Sequence, residues 1–225
     1  MVKCISAYRI KYRGYKMDIA KDREKFWEGV GEKFYKKNLT IAKYRTPFIA
    51  NIVEKNGITS VLELGCNSGR NLKAIYERCP GVKVVGVDIC EEAIKHAQEV
   101  DKNKAEFIIG SLYDLSSFED ASFDLVFTSS VLFHIPSDKA PGIIAEQKRI
   151  AKRFIFNIEC HGPDGKIIVK REGIPHQWST DYVKIYKGLG LKPKIEDMLK
   201  VLPKQKTGSA THIISAGLDE QELIY

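Results

Sequence analysis

The chain has 225 residues, of which 44% are hydrophobic and 29% charged, and its formal net charge is +7. That length suits one α/β domain with a modest N-terminal extension, and no apolar run approaches the roughly 18 residues of a membrane span. The positive balance leaves an anionic substrate, RNA or plain solubility open.

Five cysteines (Cys4, Cys66, Cys79, Cys90 and Cys160) are scattered and form no Cys-x-x-Cys pair. Free thiols in a reducing cytoplasm are expected, and no metal site. Residues 1–19 carry Lys3, Arg9, Lys11, Arg13 and Lys16 with no acid before Asp18. They read as a basic arm, either partly ordered or a strand or arm that covers the active site or touches nucleic acid, without the apolar core of a secretion signal.

From Ile19 to Asn38, Phe26, Trp27, Val30, Phe34 and Tyr35 recur at helical spacing, interrupted by Gly29 and Gly31. A second helix is expected from about Thr40 to Lys55, ended by Asn56-Gly57. The alternation then becomes regular: strand 59–64 and helix 69–79, strand 82–88 and helix 91–101, strand 105–109 and a loop at Gly110. Strand 123–128 leads to a helix near Ser137, and strand 153–159 to an irregular segment. A helix over Trp178 to Leu189, capped by Ser179 or Thr180, precedes strand-like runs at 191–199 and 211–217. Such alternation implies a parallel, doubly wound sheet, whose ligands sit at the carboxyl ends of the strands. Those ends carry Glu63 and Gly65, Asp88, Gly110-Ser111-Leu112, Thr128-Ser129 and Glu159.

The most informative stretch is Val61-Leu62-Glu63-Leu64-Gly65-Cys66-Asn67-Ser68-Gly69-Arg70-Asn71-Leu72. A buried strand meets a glycine turn and runs into a helix start. Gly65 lets the backbone turn tightly and pass close to a ligand. Nineteen residues after Gly69, a second apolar run ends in Asp88, placed to accept both hydroxyls of a ribose. A dinucleotide site would want three glycines near a pyrophosphate. Here there are two, and Glu63 precedes the turn, which suits a cofactor with a cationic amino-acid end.

Glu-Leu-Gly-x-x-x-Gly followed by an acid-ended second strand resembles the class I S-adenosylmethionine (SAM)-dependent methyltransferases. Asn67 stands at the usual middle glycine and tolerates left-handed backbone angles. A closer likeness lies in Phe26-Trp27-Glu28-Gly29, Gly31, Tyr35 and Lys37-Asn38, in Glu63 to Leu72 including Asn67 and Asn71, and in Val131-Leu132-Phe133-His134-Ile135. These motifs are similar to those of the pseudaminic-acid-biosynthesis-associated methylases, over roughly residues 26–160.

The resemblance implies a Rossmann-like, mostly parallel seven-stranded α/β sheet with N-terminal covering helices. Residues 1–57 would form the arm and cover of the same domain, and 58–225 its methyltransferase body. It implies S-adenosylmethionine as cofactor, S-adenosylhomocysteine (SAH) as product, and a cofactor site built from Tyr35, Glu63, Gly65, Cys66, Asn67, Gly69, Asn71, Asp88, Ile89, Ser111, Leu112, Thr128 and Ser129. Relatives commonly hold the adenine amine with an acid at position 111. Here Ser111 or Asp114 would serve, with Leu112 on the ring.

His134 stands near the methyl-transfer face, as a general base for a substrate hydroxyl or as a packing residue. Glu159 and His161 are second candidates for base or substrate contact, and His176-Gln177-Trp178 would cover the pocket. The expected acceptor is a hydroxyl or amine of a small polar or sugar-derived metabolite. Alternatives are an RNA or protein methyltransferase using the basic surface, or a non-catalytic SAM-binding partner protein.

Overall fold

The computed structural model describes residues 24–28, 42–101, 104–162, 177–202, 212–219 and 221–225. The basic arm, Gly29, Gly31, Tyr35 and His176 lie outside them. Residues 24–28 form a short helical turn.

Helix α1 (Ala42–Lys55) ends where expected. Asn56 donates its side-chain amide to Ile52 O at 2.7 Å, and Gly57 takes the left-handed φ of 56° that a helix C-cap favours. Then follow β1 (Ser60–Leu64), α2 (Arg70–Arg78), β2 (Lys83–Asp88), α3 (Glu91–Val100), β3 (Glu106–Ile109) and β4 (Phe123–Ser129). A 3-10 turn (Leu132–His134), α4 (Ala140–Ile150), β5 (Ala151–Glu159), α5 (Tyr182–Gly188), β6 (Lys194–Asp197), α6 (Met198–Val201) and β7 (His212–Gly217) complete the order.

The seven strands form one sheet in the order β3-β2-β1-β4-β5-β7-β6. The first five pair in parallel, and β7 runs antiparallel between β5 and β6. Alternate strand residues bury into two cores. Val61, Leu125, Phe127, Phe154 and Phe156 join Ile49 and Ile52 of α1, Leu72 and Ile75 of α2, and Ile94 of α3. Leu62, Leu64, Val85, Val126 and Ile155 join Ile143 and Ile144 of α4 and Tyr182 and Tyr186 of α5. Helices therefore cover both faces, and the order reverses between β1 and β4, where such folds open a ligand crevice.

Three expectations change in detail. The helix after β4 is split, a 3-10 turn preceding α4, whose first turn holds Pro141. Helix α5 starts at Tyr182, capped by Asp181, which accepts from Lys184 N at 2.9 Å. Ser179 and Thr180 are drawn instead into extended chain: Thr180 bridges His161, and Trp178 N donates to Phe133 O at 2.7 Å. Strand β6 stops at Asp197 because that side chain accepts from Leu199 N at 2.8 Å and opens α6.

Candidate cofactor and methyl-transfer site

At the end of β1 the backbone turns left-handed three times, with φ of 76° at Gly65, 48° at Asn67 and 73° at Gly69. Gly65 N and Cys66 N both donate to Val87 O, at 2.7 and 3.0 Å, so the turn hangs on β2. A Cβ at Gly65 would lie 2.5 Å from Val131 Cγ2, and one at Gly69 would lie 2.5 Å from Phe107 Cε1. The glycines are thus required by protein neighbours as well as by the turn itself.

Asp88, at the tip of β2, accepts from Asn67 N at 2.7 Å and from Cys90 N at 2.9 Å. Ile89 adds its own backbone N–H, and burial pushes the carboxyl upward against these donors. Each oxygen keeps lone pairs for a ligand diol.

Glu63 lies one strand inward and is 1% exposed. Its Oε1 accepts from Asn71 Nδ2 at 2.6 Å, and its Oε2 is buried without a partner. Burial raises the carboxyl to about 8, with Arg70 pulling the other way. Asn71 in turn accepts from Thr46 Oγ1 at 3.0 Å, which fastens α1 to the turn. Asn71 is therefore a support for Glu63.

Next to Thr46, Arg45 is buried in α1. It donates to the Ser130 hydroxyl and, weakly, to Met198 Sδ at 3.9 Å, while its Nε has no partner. It forms no ion pair among the described residues. Burial lowers its pKa to about 10, and the Glu159 charge opposes that shift. Ser130 itself sits at φ 66°, a strained conformation of the kind found at ligand clamps. Sequence reasoning missed Arg45. The available signal was its place on the apolar stripe with Ile49 and Ile52, where an arginine has no packing reason to be.

Two of the expected cofactor residues have buried side chains. The Cys66 side chain turns into the core against Gly86, where an added Cβ would lie 2.6 Å from its Sγ; only Cys66 backbone lines the turn. Thr128 is fully buried and donates toward Asn157 Oδ1 at 2.8 Å and Glu159 Oε1 at 2.7 Å. It lies beneath the strand tips, whereas Ser129 is partly exposed at the end of β4.

Glu159 is likewise engaged by protein neighbours. It is fully buried, and its oxygens accept from Val131 N at 3.0 Å and Phe133 N at 3.2 Å. Its carboxylate holds the loop after β4. That loop carries His134, whose ring lies 4.5 Å from Trp27 and 4.3 Å from Phe133, centroid to centroid. The 24–28 turn therefore covers this edge.

His161 lies at the end of β5, its ring 5.3 Å from that of His212. Burial lowers its pKa, and the Thr180 backbone opposes that shift. Among the described residues its Nδ1 and Gln177 Oε1 are buried without a partner, while the Thr180 and Tyr182 hydroxyls lie beside each other. At the tip of β3, the Ser111 hydroxyl donates to Glu24 and Leu112 is buried. No group of three metal-ligating side chains occurs among the described residues, and no described helix is long and apolar enough to cross a membrane.

Residues 61–153 match the family model described as a methyltransferase domain. Among curated proteins, the chain is 32% identical over 120 residues to the ubiquinone biosynthesis O-methyltransferase of Idiomarina loihiensis, covering 52% of this chain and 47% of that protein. It is 30% identical over 124 residues to a tRNA N(3)-methylcytidine methyltransferase of Schizosaccharomyces pombe, covering 48% and 40%. The chain thus spans less than half the length of these relatives. Magnesium protoporphyrin IX methyltransferase of Synechocystis PCC 6803, solved with bound SAM, shares the fold: TM-score 0.65, 17% identity, covering 91% of this chain and 99% of that one. The stretch of this chain that builds the glycine turn, the Asp88 tip and the fourth strand is the part that matches this methyltransferase-domain model.

Proposed function

We propose that the protein transfers a methyl group from S-adenosylmethionine to a hydroxyl or amine of a small polar or sugar-derived metabolite. The observation that carries the cofactor is a pair of buried polar atoms without hydrogen-bond partners among the described residues. Glu63 Oε2 and Arg45 Nε are both buried without partners, and both feel the Arg70 charge. A buried group of either kind is costly unless something pairs it. An α-ammonium at Glu63 and an α-carboxylate at Arg45 meet both needs, and Asp88 one strand outward is spaced for the ribose of the same molecule.

When bound, this cofactor supplies an electrophilic methyl on a sulfonium. The chain then has two tasks: to align the acceptor in line with that methyl and to take its proton. We assign the proton to a ring nitrogen of His134. Trp27 and Phe133 hold that imidazole on the loop fixed by Glu159, and a base so placed contributes about 10²- to 10⁴-fold. The buried, unpartnered His161 Nδ1 and Gln177 Oε1 support a polar acceptor on the β5 side. The likeness to pseudaminic-acid-associated methylases supports a sugar-derived one.

Calorimetric titration with SAH tests the cofactor. Wild type should bind, and Asp88→Ala should bind at least about tenfold more weakly, as loss of a charged hydrogen-bond acceptor implies. Failure of wild type to bind SAH would overturn the reading. For the base, His134→Ala should lower kcat at least about 100-fold while SAH affinity stays within about threefold. Unchanged turnover at saturating acceptor would remove His134 from that role.

A second reading, an RNA methyltransferase, is favoured by the +7 charge and by the similarity to a tRNA methyltransferase. RNA affinity falling steeply with salt, as phosphate contacts require, would support it.

A further inference from the structure

The site reading leaves the base of the cofactor without a polar partner on the strand itself. With the ribose at Asp88 and the amino-acid end between β1 and β4, the order β3-β2-β1-β4 puts the base over the tip of β3. Leu112 offers apolar surface there. Two carboxylates attach to this loop. Asp114 is folded back, its Oδ1 accepting from Ser116 N at 3.3 Å and Ser116 Oγ at 2.7 Å. Glu24 arrives from the helical turn at 24–28, and its Oε1 accepts from the Ser111 hydroxyl. The Ser111 oxygen accepts from Tyr113 N at 3.1 Å in the same turn, so the hydroxyl is oriented toward Glu24. Glu24 Oε2 makes no hydrogen bond with any described residue.

We infer that Glu24, held by Ser111, is the acceptor for the exocyclic amine of adenine, so that the covering turn supplies the base recognition that the third strand lacks. This rests on the SAM reading above and gives it a specificity residue. A carboxylate accepts from an N–H donor and cannot donate to a carbonyl, so Glu24 would favour adenine over a base bearing oxygen at the same position. Three residues along the same turn, Trp27 packs on the His134 ring. One helical turn therefore touches the base end of the cofactor and the methyl-transfer loop, and filling the first would steady the second.

The test is calorimetric titration of the full chain with SAH and with S-inosylhomocysteine, in which a carbonyl replaces the amine. Wild type should prefer SAH by about tenfold or more, the scale of a charge-assisted hydrogen bond. Glu24→Gln, whose amide can both donate and accept, should shrink that preference to about threefold or less. Glu24→Gln combined with Ser111→Asp, which moves the acid onto the strand, should restore it. If Glu24 only ties down the cover, Glu24→Gln will weaken both ligands by one factor and leave the preference intact, which overturns the inference. A wild type that binds neither ligand instead overturns the cofactor reading beneath it. Thermal melts of each variant establish that it is folded.

Discussion

Asn67 donates its backbone N–H to Asp88 Oδ2 at 2.7 Å while holding φ at 48°, so a strained turn residue aims the carboxylate that would hold the ribose. The left-handed conformation costs an ordinary L-residue about 1–2 kcal/mol, and asparagine and glycine less. Asn67→Gly should keep SAH affinity within about threefold. Asn67→Val should weaken it about tenfold or more and lower the melting temperature. Equal affinities in the two variants would show that the Asn67 backbone angle is unimportant.

Glu63 gives the site a pH signature. Its carboxyl is raised to about 8 by burial, so at neutral pH the unliganded group is mostly protonated. An ammonium beside it favours the ionised form, so binding should release a proton below pH 8. SAH affinity should rise as pH climbs toward 8 and flatten above it. Without ligand the sign is opposite: a carboxyl raised from 4.5 to about 8 stabilises the fold below pH 4.5, and that contribution is lost as pH passes 8. Calorimetry in two buffers of different ionisation enthalpy reads the proton directly. Glu63→Gln should abolish its release, and an unchanged release would place the titrating group elsewhere.

Arg45 should show stability and binding moving in opposite directions. Burying a guanidinium that forms no ion pair among the described residues carries a desolvation cost that an apolar chain of similar length does not. Arg45→Met should raise the melting temperature of the unliganded protein. It should also weaken SAH, which has the carboxylate, and leave 5′-methylthioadenosine, which lacks it, within about twofold. Equal losses for both ligands would show that Arg45 acts through the fold alone.

Cys66 separates packing from ligand contact. A Cβ at Gly86 would lie 2.6 Å from Cys66 Sγ and 2.7 Å from Leu72 Cδ1. Gly86→Ala should therefore destabilise by about 1–3 kcal/mol through overpacking. Cys66→Ala made in the same chain should recover part of that loss. Cys66→Ala alone should leave SAH affinity within about twofold, and a tenfold loss would return its side chain to the ligand site.

Much of the scaffold was legible in the sequence because a parallel sheet writes itself as apolar runs ending in polar tips. Glu63, Gly65 and Asp88 each lie at a strand end, and the Gly57 cap fell where the Asn-Gly pair placed it. The burial of Thr128 was not legible because β4 is buried on both faces, so alternation along it does not distinguish a ligand-facing hydroxyl from one inside the sheet. The loop contacts of Glu159 were hidden for a related reason: a strand tip looks available until the next loop folds over it. The cap of α5 moved because pairing of Thr180 with His161 outweighed a local capping preference. Arg45 and the Glu24–Ser111 contact depend on pairs 85 and 87 residues apart, which local spacing does not reveal.

Glu159 and Asp88 each hold a loop by its backbone amides, from two strands separated by β1 and β4. The half of the crevice that would grip the cofactor and the half that would present the base thus hang from different anchors. Side chains at 131–134 can change while the Glu159 carboxylate keeps that backbone in place and the Asp88 turn stays undisturbed. On the proposed reading, substitutions confined to the 131–134 loop should alter acceptor choice while leaving SAH affinity unchanged.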